Sequence, residues 1–160
     1  MVDERFSLFE LPFVASADAS GARTAWEIIQ SDLDGILGNV RILAAFIRGA
    51  TTLASNEVLA APDDLAGLKV RSSGTVTGDF LDLIGASALP LAYGELYPAM
   101  QTGVIDAMAL GSDRVDFLQS GLGDVITQAL VFDDQTGFTN QLHGLVIDAD
   151  LYNSLPADLQ

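Results

Sequence analysis

The chain has 160 residues, and 49% of them are hydrophobic, which is enough for a hydrophobic core in one domain or in most of two lobes. The formal net charge of −15, from 22 acidic and 7 basic residues, argues against nucleic acid and against an anionic membrane surface as partners. Because the chain has no cysteine, disulfide bonds, cysteine zinc sites and thiol nucleophiles are excluded.

Helix-like and strand-like segments alternate along the chain. Apolar residues at helical spacing predict a helix in residues 17–37, with Asp18 or Ser20 as its N-cap. The apolar run 39–47 predicts a buried strand, and Pro62 followed by two acids predicts a single helical turn. The later predictions are strands at 68–71, 87–93, 104–110, 129–132 and 142–147, and helices at 75–86, 94–103, 112–124 and from 148 onward. Pro90 places the strand at 87–93 at an edge or an end.

This alternation predicts an α/β architecture with mainly parallel strands. In such sheets, ligands bind outside the carboxyl ends of the strands. Arg71 lies at one of these ends, and the segment 111–113 lies at another.

Arg71 belongs to the stretch "GLKVRSSGTV", which also holds the single lysine, Lys69. A planar guanidinium matches a carboxylate as a fork, which an ammonium cannot do. The residues alone leave another interpretation open, a surface arginine paired with Asp64 or Asp79. Lys69 is expected to face away from Arg71 and to be solvated.

Three segments, "DDLAGLKVR", "GASALPLAYGELYPAMQTGVIDA" and "LYNSLPADLQ", follow one another in a recognisable order. In order and spacing they resemble the DctP-type solute-binding proteins of TRAP transporters (tripartite ATP-independent periplasmic transporters). The resemblance covers essentially the whole chain, and the E-L-Y-x-A-x-Q-x-G-x-x-D segment is its most specific part. It implies an α/β fold of the type II periplasmic-binding-protein kind, with lobes built on mixed, mainly parallel sheets. Residues 1–160 would be an internal part of such a protein, the second lobe plus portions of the first, lacking its opening strands and closing helices.

The resemblance also implies which residues bind substrate. The arginine that ends L-K-x-R binds the substrate carboxylate in the family, and Arg71 occupies that position. Arg48 resembles a second family arginine, with a loop arginine that neutralises acids as the alternative. Tyr93 aligns with an aromatic residue that packs on the ligand, although a buried ring is an equal alternative.

Further positions belong to the expected site. Leu110 stands where the family often has a polar residue, and Gly74 stands where some members have asparagine, so we expect a smaller or more apolar organic acid. Ser112 and Asp113 are expected to supply polar groups instead. Gln141 falls near an amide that contacts ligand in the family, and a register shift of one residue would place Asn140 there. His143, the single histidine, is interpreted as structural.

The expected function is therefore the capture of a small organic acid in the periplasm, for delivery to the TRAP membrane subunits, without cofactor, metal or catalytic residues. Exposed strand edges would allow a dimer. No nucleophile elbow, H-E-x-x-H motif or phosphate loop is present, so an enzyme is not expected. The strong negative charge leaves a zwitterionic or neutral solute as an alternative. A hydrolase or isomerase on a similar scaffold is the alternative from another class.

Overall fold

The computed structural model describes residues 4–12, 14, 16, 18–33, 35–48, 51–111, 121–131 and 139–160. The chain opens with a 3-10 helix, Glu4–Glu10, followed by helix α1, Ala19–Asp32. Asp18 caps α1, because its carboxylate accepts hydrogen bonds from the amides of Ser20 at 2.8 Å and Gly21 at 3.0 Å. The predicted first helix is confirmed, and Asp18 rather than Ser20 is its cap.

A two-stranded antiparallel sheet joins strand β1, Val40–Arg48, to strand β7, Gln141–Asp148. Its register pairs Arg48 with Gln141, and it shifts by one residue between Ile42 and Ala44. The sheet packs on α1 and the first 3-10 helix through a core of buried side chains, namely Phe9, Ala25, Ile29, Leu33 and Ile47. The prediction that β1 is a buried strand was wrong, since only Ile47 of this strand is buried. Alternate side chains point to opposite faces, and α1 covers one of them.

The second sheet has five strands in the order β4-β3-β5-β2-β6. These strands are β2 at Thr51–Ser55, β3 at Lys69–Ser72, β4 at Ser87–Pro90, β5 at Ala107–Gly111 and β6 at Gln128–Leu130. Strand β3 runs parallel to β4 and β5, whereas β2 runs antiparallel to β5 and β6. Strand β4 lies at the edge, as Pro90 indicated.

The α/β class and the mixed sheets are confirmed, but parallel pairings do not predominate. Among the described strands, two pairings are parallel and three are antiparallel. The parallel pairs arise where a helix returns the chain across the sheet, as between β3 and β4. Strand β2 instead follows β1 of the other sheet, too closely for a helix to lie between them. The alternation of helices and strands in the sequence therefore does not predict its direction.

Helices α2, Thr75–Leu83, and α3, Leu96–Gln101, belong to two different hydrophobic cores on the five-stranded sheet. Alternation along β5 shows this directly. Ala107 and Ala109 pack in the core that includes Leu81 of α2, while Met108 and Leu110 pack in the core that includes Leu96 of α3. The sheet is therefore covered on both faces, and its strand ends remain free to form a site.

The remaining elements are short. The predicted turn is the 3-10 helix Pro62–Leu65, and the helix predicted at 94–103 begins as the 3-10 turn Tyr93–Glu95 before α3. Most of the helix predicted at 112–124 falls outside the described residues. Helix α4, Ala149–Ser154, and a final 3-10 turn, Ala157–Leu159, end the chain. Within the described ranges, the helices are all too short or too polar to cross a lipid bilayer.

Candidate functional site

A cavity of about 370 Å³ lies where the carboxyl ends of β3 and β5 meet the junction of β1 with β7. It contains five of the residues expected to bind substrate, namely Arg48, Arg71, Tyr93, Leu110 and Gln141. Ser112 and Asp113 lie outside the described residues. The placement at the ends of parallel strands follows the general rule for ligand sites in α/β sheets.

Arg71 is the most constrained cation of this cavity. Its side chain is 8% exposed, and its guanidinium donates from Nε to the backbone oxygen of Leu91 at 3.1 Å and from Nη1 to that of Ala109 at 3.0 Å. Burial lowers the pKa of Arg71, which nevertheless stays charged. The two acceptors fix the plane of the guanidinium but carry no charge that would neutralise it.

The alternative interpretation of Arg71 as a surface residue paired with an aspartate is wrong. The side chain is buried, and no carboxylate of the described residues forms an ion pair with it. Asp64 instead accepts hydrogen bonds from the amides of Ala60 and Ala61 at 2.8 and 2.9 Å, which caps the turn at Pro62–Leu65.

Lys69 is not merely solvated. Residues two apart in a strand share a face, so Lys69 lies on the same side of β3 as Arg71, contrary to the prediction. Its ammonium donates to the backbone oxygen of Gly103 at 2.8 Å, at the end of the segment that follows α3. This contact lies away from the cavity and ties β3 to that segment.

Arg48 and Gln141 enter the cavity from the other sheet, where they are paired across β1 and β7. The side chain of Arg48 passes Gly111, with Nε only 3.6 Å from the place where a Cβ of that glycine would be. The amide of Gln141 donates a hydrogen bond to the hydroxyl of Ser73, just before α2. These contacts connect the two sheets at the wall of the cavity.

Tyr93 and Leu110 give the cavity its aromatic and apolar surface. Tyr93 opens the 3-10 turn after β4 and is 42% exposed, so it is not the buried ring of the alternative interpretation. Leu110 is 5% exposed and belongs to the core around α3. The wall beside Arg71 is therefore apolar at Leu110.

Two ionisable lining residues received no binding role in the sequence analysis. Glu10, the last residue of the first 3-10 helix, is half-buried in the cavity wall, and burial raises its pKa. His143 stacks on Phe46 with ring centroids 5.5 Å apart, as a structural residue would, yet it also lines the cavity. Burial, and then the charge of Arg48, lowers the pKa of His143, which favours its neutral form.

A buried chain of hydroxyl groups supports the wall at α2. The hydroxyl of Thr77, which lines the cavity, lies 3.2 Å from that of Thr139, and Thr139 donates to the hydroxyl of Thr51 at 3.1 Å. All three residues are at most 3% exposed. The chain holds the start of α2 against β2 and against the segment that leads into β7.

A larger cavity of about 690 Å³ adjoins this site and shares Glu10, Leu142 and His143 with it. Its other lining residues are mainly apolar side chains of α1, α2 and the two-stranded sheet, and it contains neither arginine. In the part of the chain that the structure describes, no three histidine, aspartate or glutamate side chains gather as a metal site. The arginine cavity is therefore the candidate binding site.

The sequence profile of a family described as "Bacterial extracellular solute-binding protein, family 7" (DctP) matches residues 1–160. The chain belongs to this family. Family 7 membership confirms the resemblance seen in the sequence. The family is described as one of solute-binding proteins, the class that the resemblance predicted, and not as one of enzymes.

Individual relatives resemble the chain over different spans. The C4-dicarboxylate-binding periplasmic protein DctP of Rhodobacter capsulatus is 29% identical over 162 residues, which cover 97% of this chain and 46% of that protein. A solute-binding protein of Chromohalobacter salexigens is 40% identical over 70 residues, which cover 42% of this chain and 21% of that protein. The chain spans about half the length of the first of these relatives.

Among solved structures, a TRAP solute-binding protein from Rhodoferax ferrireducens, in complex with copurified benzoate, superposes with a TM-score of 0.86. It is 24% identical, and the match covers 97% of this chain and 48% of that one. The likeness confirms the type II periplasmic-binding-protein fold predicted from the sequence.

Proposed function

We propose that the chain forms part of an extracytoplasmic solute-binding protein of a TRAP transporter and captures a small organic acid through Arg71. One observation carries this proposal. A guanidinium that is 8% exposed lines a cavity, and it has two backbone carbonyls but no carboxylate of the described residues as partners.

A buried charge is costly unless an opposite charge and hydrogen bonds compensate it. Arginine has five N–H groups, and Leu91 and Ala109 accept two of them. Both hydrogens of Nη2 and one of Nη1 have no acceptor among the described residues and can bond to a ligand. A carboxylate would supply the missing negative charge and accept from the guanidinium at the same time.

Other features of the cavity suit an organic anion. Arg48 brings a second positive charge to the wall, and the N-terminus of α2, which Gly74 caps without a side-chain hydrogen bond, lies at the cavity. Tyr93 and Leu110 offer surface for a carbon skeleton. A volume of about 370 Å³ is at the lower end for ligand pockets, which favours a small solute.

The names of similar proteins support the same ligand class. The R. capsulatus relative is named for binding C4-dicarboxylates, and the R. ferrireducens structure holds benzoate. The net charge of −15 repels anions at long range, but screening limits this repulsion to about 8–10 Å at ordinary salt. We further propose that residues 1–160 form the second lobe and portions of the first, that the TRAP membrane subunits are the partners, and that strand edges allow a dimer.

Calorimetric titration of the full chain with acids and with their neutral isosteres tests the proposal. Suitable pairs are benzoate with benzamide and propionate with propionamide, because each pair keeps its shape and loses its charge. We expect the acid to bind about thirtyfold or more tightly than the amide. Equal affinities for an acid and its amide would favour the alternative that the protein binds a neutral solute. Conversion of a bound acid, followed by NMR, would favour the hydrolase or isomerase.

A further inference from the structure

Glu10 places a carboxylate in the wall of the arginine cavity. It ends the first 3-10 helix, and its Oε2 lies 3.9 Å from the place where a Cβ of Gly74 would be. The carboxylate therefore lies close to the N-terminus of α2, the part of the cavity wall nearest to Ser73 and Thr77. Because Gly74 has no side chain, nothing from that residue separates Glu10 from the cavity.

The charges around the cavity define what it can accept. Arg48 and Arg71 contribute two positive charges and an ionised Glu10 contributes one negative charge, while burial raises the pKa of Glu10 and lowers that of His143. One net positive charge remains among the described lining residues. A monocarboxylate brings the single negative charge that balances it. A dicarboxylate would bring two, and its second carboxylate would have to share a small, partly buried space with Glu10.

Among the described residues, none donates a hydrogen bond to the carboxylate of Glu10, whose pKa is shifted by burial alone. Its carboxylate is half-buried, and an ionised carboxylate accepts hydrogen bonds but cannot donate them. A ligand group that donates, such as a hydroxyl or an ammonium, would satisfy it when the ligand carboxylate is held by Arg71. A site built to accept from a ligand donor discriminates strongly against analogues that lack this donor.

We propose that Glu10 determines the specificity of the site, admitting small monocarboxylates that carry a hydroxyl or ammonium donor and rejecting dicarboxylates. This inference rests on the proposed function, because it assigns the chemical class of the acid held by Arg71. It also separates this chain from the relative that is named for C4-dicarboxylates.

Two matched series of acids test the role of Glu10 in the full chain. The first is propionate, 3-hydroxypropionate, β-alanine and malonate, and the second is benzoate, 3-hydroxybenzoate, 3-(aminomethyl)benzoate and isophthalate. The first series keeps three carbons and the second keeps the benzoate ring, while the far group is changed from apolar to hydroxyl, ammonium or carboxylate. The two sizes ensure that a poor fit of one frame does not decide the result.

We expect the hydroxylated or aminated acid to bind best in at least one series and the dicarboxylate to bind about tenfold more weakly than the plain monocarboxylate. The hydroxyl and ammonium arms show which donor Glu10 accepts. Glu10→Gln removes the charge and keeps the shape, so the preference for the monocarboxylate over the dicarboxylate should fall by about tenfold. Asp63→Asn is the matched control, since it removes one exposed negative charge that lines neither cavity and should leave that ratio unchanged.

The outcomes separate this inference from the proposed function. If Arg71 variants lose acid binding while Glu10→Gln leaves the ratio of monocarboxylate to dicarboxylate affinities unchanged, the role of Glu10 is wrong and the carboxylate clamp stands. Preferential binding of the dicarboxylates by the unsubstituted chain would also overturn the proposed role of Glu10. If no acid of either series binds, the proposed function fails, and the role of Glu10 fails with it.

Discussion

Arg71 donates a hydrogen bond from Nη1 to the backbone oxygen of Ala109 at 3.0 Å, so the guanidinium of β3 is oriented by the backbone of β5. A second bond, from Nε to Leu91, holds it from the segment that follows β4. Three parallel strands thus take part in setting the direction of one side chain. The acceptors are neutral, and the charge stays available to an anion in the cavity.

Substitution of Arg71 is expected to abolish most of the affinity for an organic acid. Arg71→Ala should weaken binding by about 2–5 kcal/mol, because a desolvated charge pair loses one partner. Arg71→Lys should weaken it less, because the charge is kept while the planar fork is lost. Calorimetric titration measures the affinities, and melting followed by circular dichroism shows whether each variant is folded.

Arg41→Ala is the control for this series. Arg41 lies outside the cavity, with its guanidinium 4.2 Å from the ring centre of Tyr152. We expect the acid affinity of this variant to change by no more than about 0.5 kcal/mol. An unchanged affinity in a folded Arg71→Ala variant would show that another residue holds the carboxylate.

The charge of Arg48 should be visible at His143. Burial and the nearby guanidinium both lower the pKa of this histidine, so Arg48→Gln should raise that pKa toward its ordinary value while the effect of burial remains. The chain has a single histidine, so its imidazole resonance can be followed by proton NMR across a pH titration without ambiguity. Arg41→Gln should leave the pKa of His143 where it is, and a similar rise in both variants would contradict this account.

The hydroxyl chain behind the cavity should contribute to stability. Thr139→Val keeps the shape of the side chain but removes the hydroxyl that contacts those of Thr51 and Thr77. Because both partners are buried, we expect the free energy of unfolding to fall by about 1–3 kcal/mol in urea denaturation. Thr102→Val removes an exposed hydroxyl that donates to the backbone oxygen of Pro98. This control should change the free energy of unfolding by about 0.5 kcal/mol or less. Equal losses in the two variants would refute a special role for the buried chain.

Helix α1 should depend on the ionised form of Asp18. Hydrogen bonds from Ser20 and Gly21 lower the pKa of Asp18 to about 2, from an ordinary value of 3.8. A carboxyl whose pKa is lowered by folding stabilises the folded state at a pH above its ordinary pKa. This stabilisation is lost as the pH falls toward 2. Asp18→Ala should therefore lower the melting temperature at neutral pH, and its difference from the unsubstituted chain should shrink between pH 4 and pH 2. A difference that stays constant over this range would contradict the cap.

Much of the fold follows from local patterns, and the exceptions concern contacts between distant segments. The helix at 19–32 and the turn at Pro62–Leu65 were predictable because capping residues and apolar spacing lie within a few positions of one another. The antiparallel direction of β2 was not, because it depends on which strand the segment meets after leaving the other sheet. The exposure of β1 was missed for a similar reason, since an apolar run does not reveal that its sheet has only two strands.

The candidate site divides in the same way. Arg71 could be placed in advance, because strand ends in α/β sheets are where ligands bind, whereas Leu110 was placed by the family resemblance. Glu10 could not, because it reaches the cavity only through the packing of the first 3-10 helix beside the start of α2. The prediction that Lys69 faces away from Arg71 was wrong, because side chains two residues apart in a strand lie on the same face.

A crystal structure of the chain with a bound organic acid tests the central claim most directly. The account predicts a carboxylate oxygen within about 2.7–3.2 Å of Nη2 of Arg71, with the carbon skeleton between Tyr93 and Leu110. An acid bound elsewhere, with the guanidinium of Arg71 bonded only to Leu91 and Ala109, would contradict it.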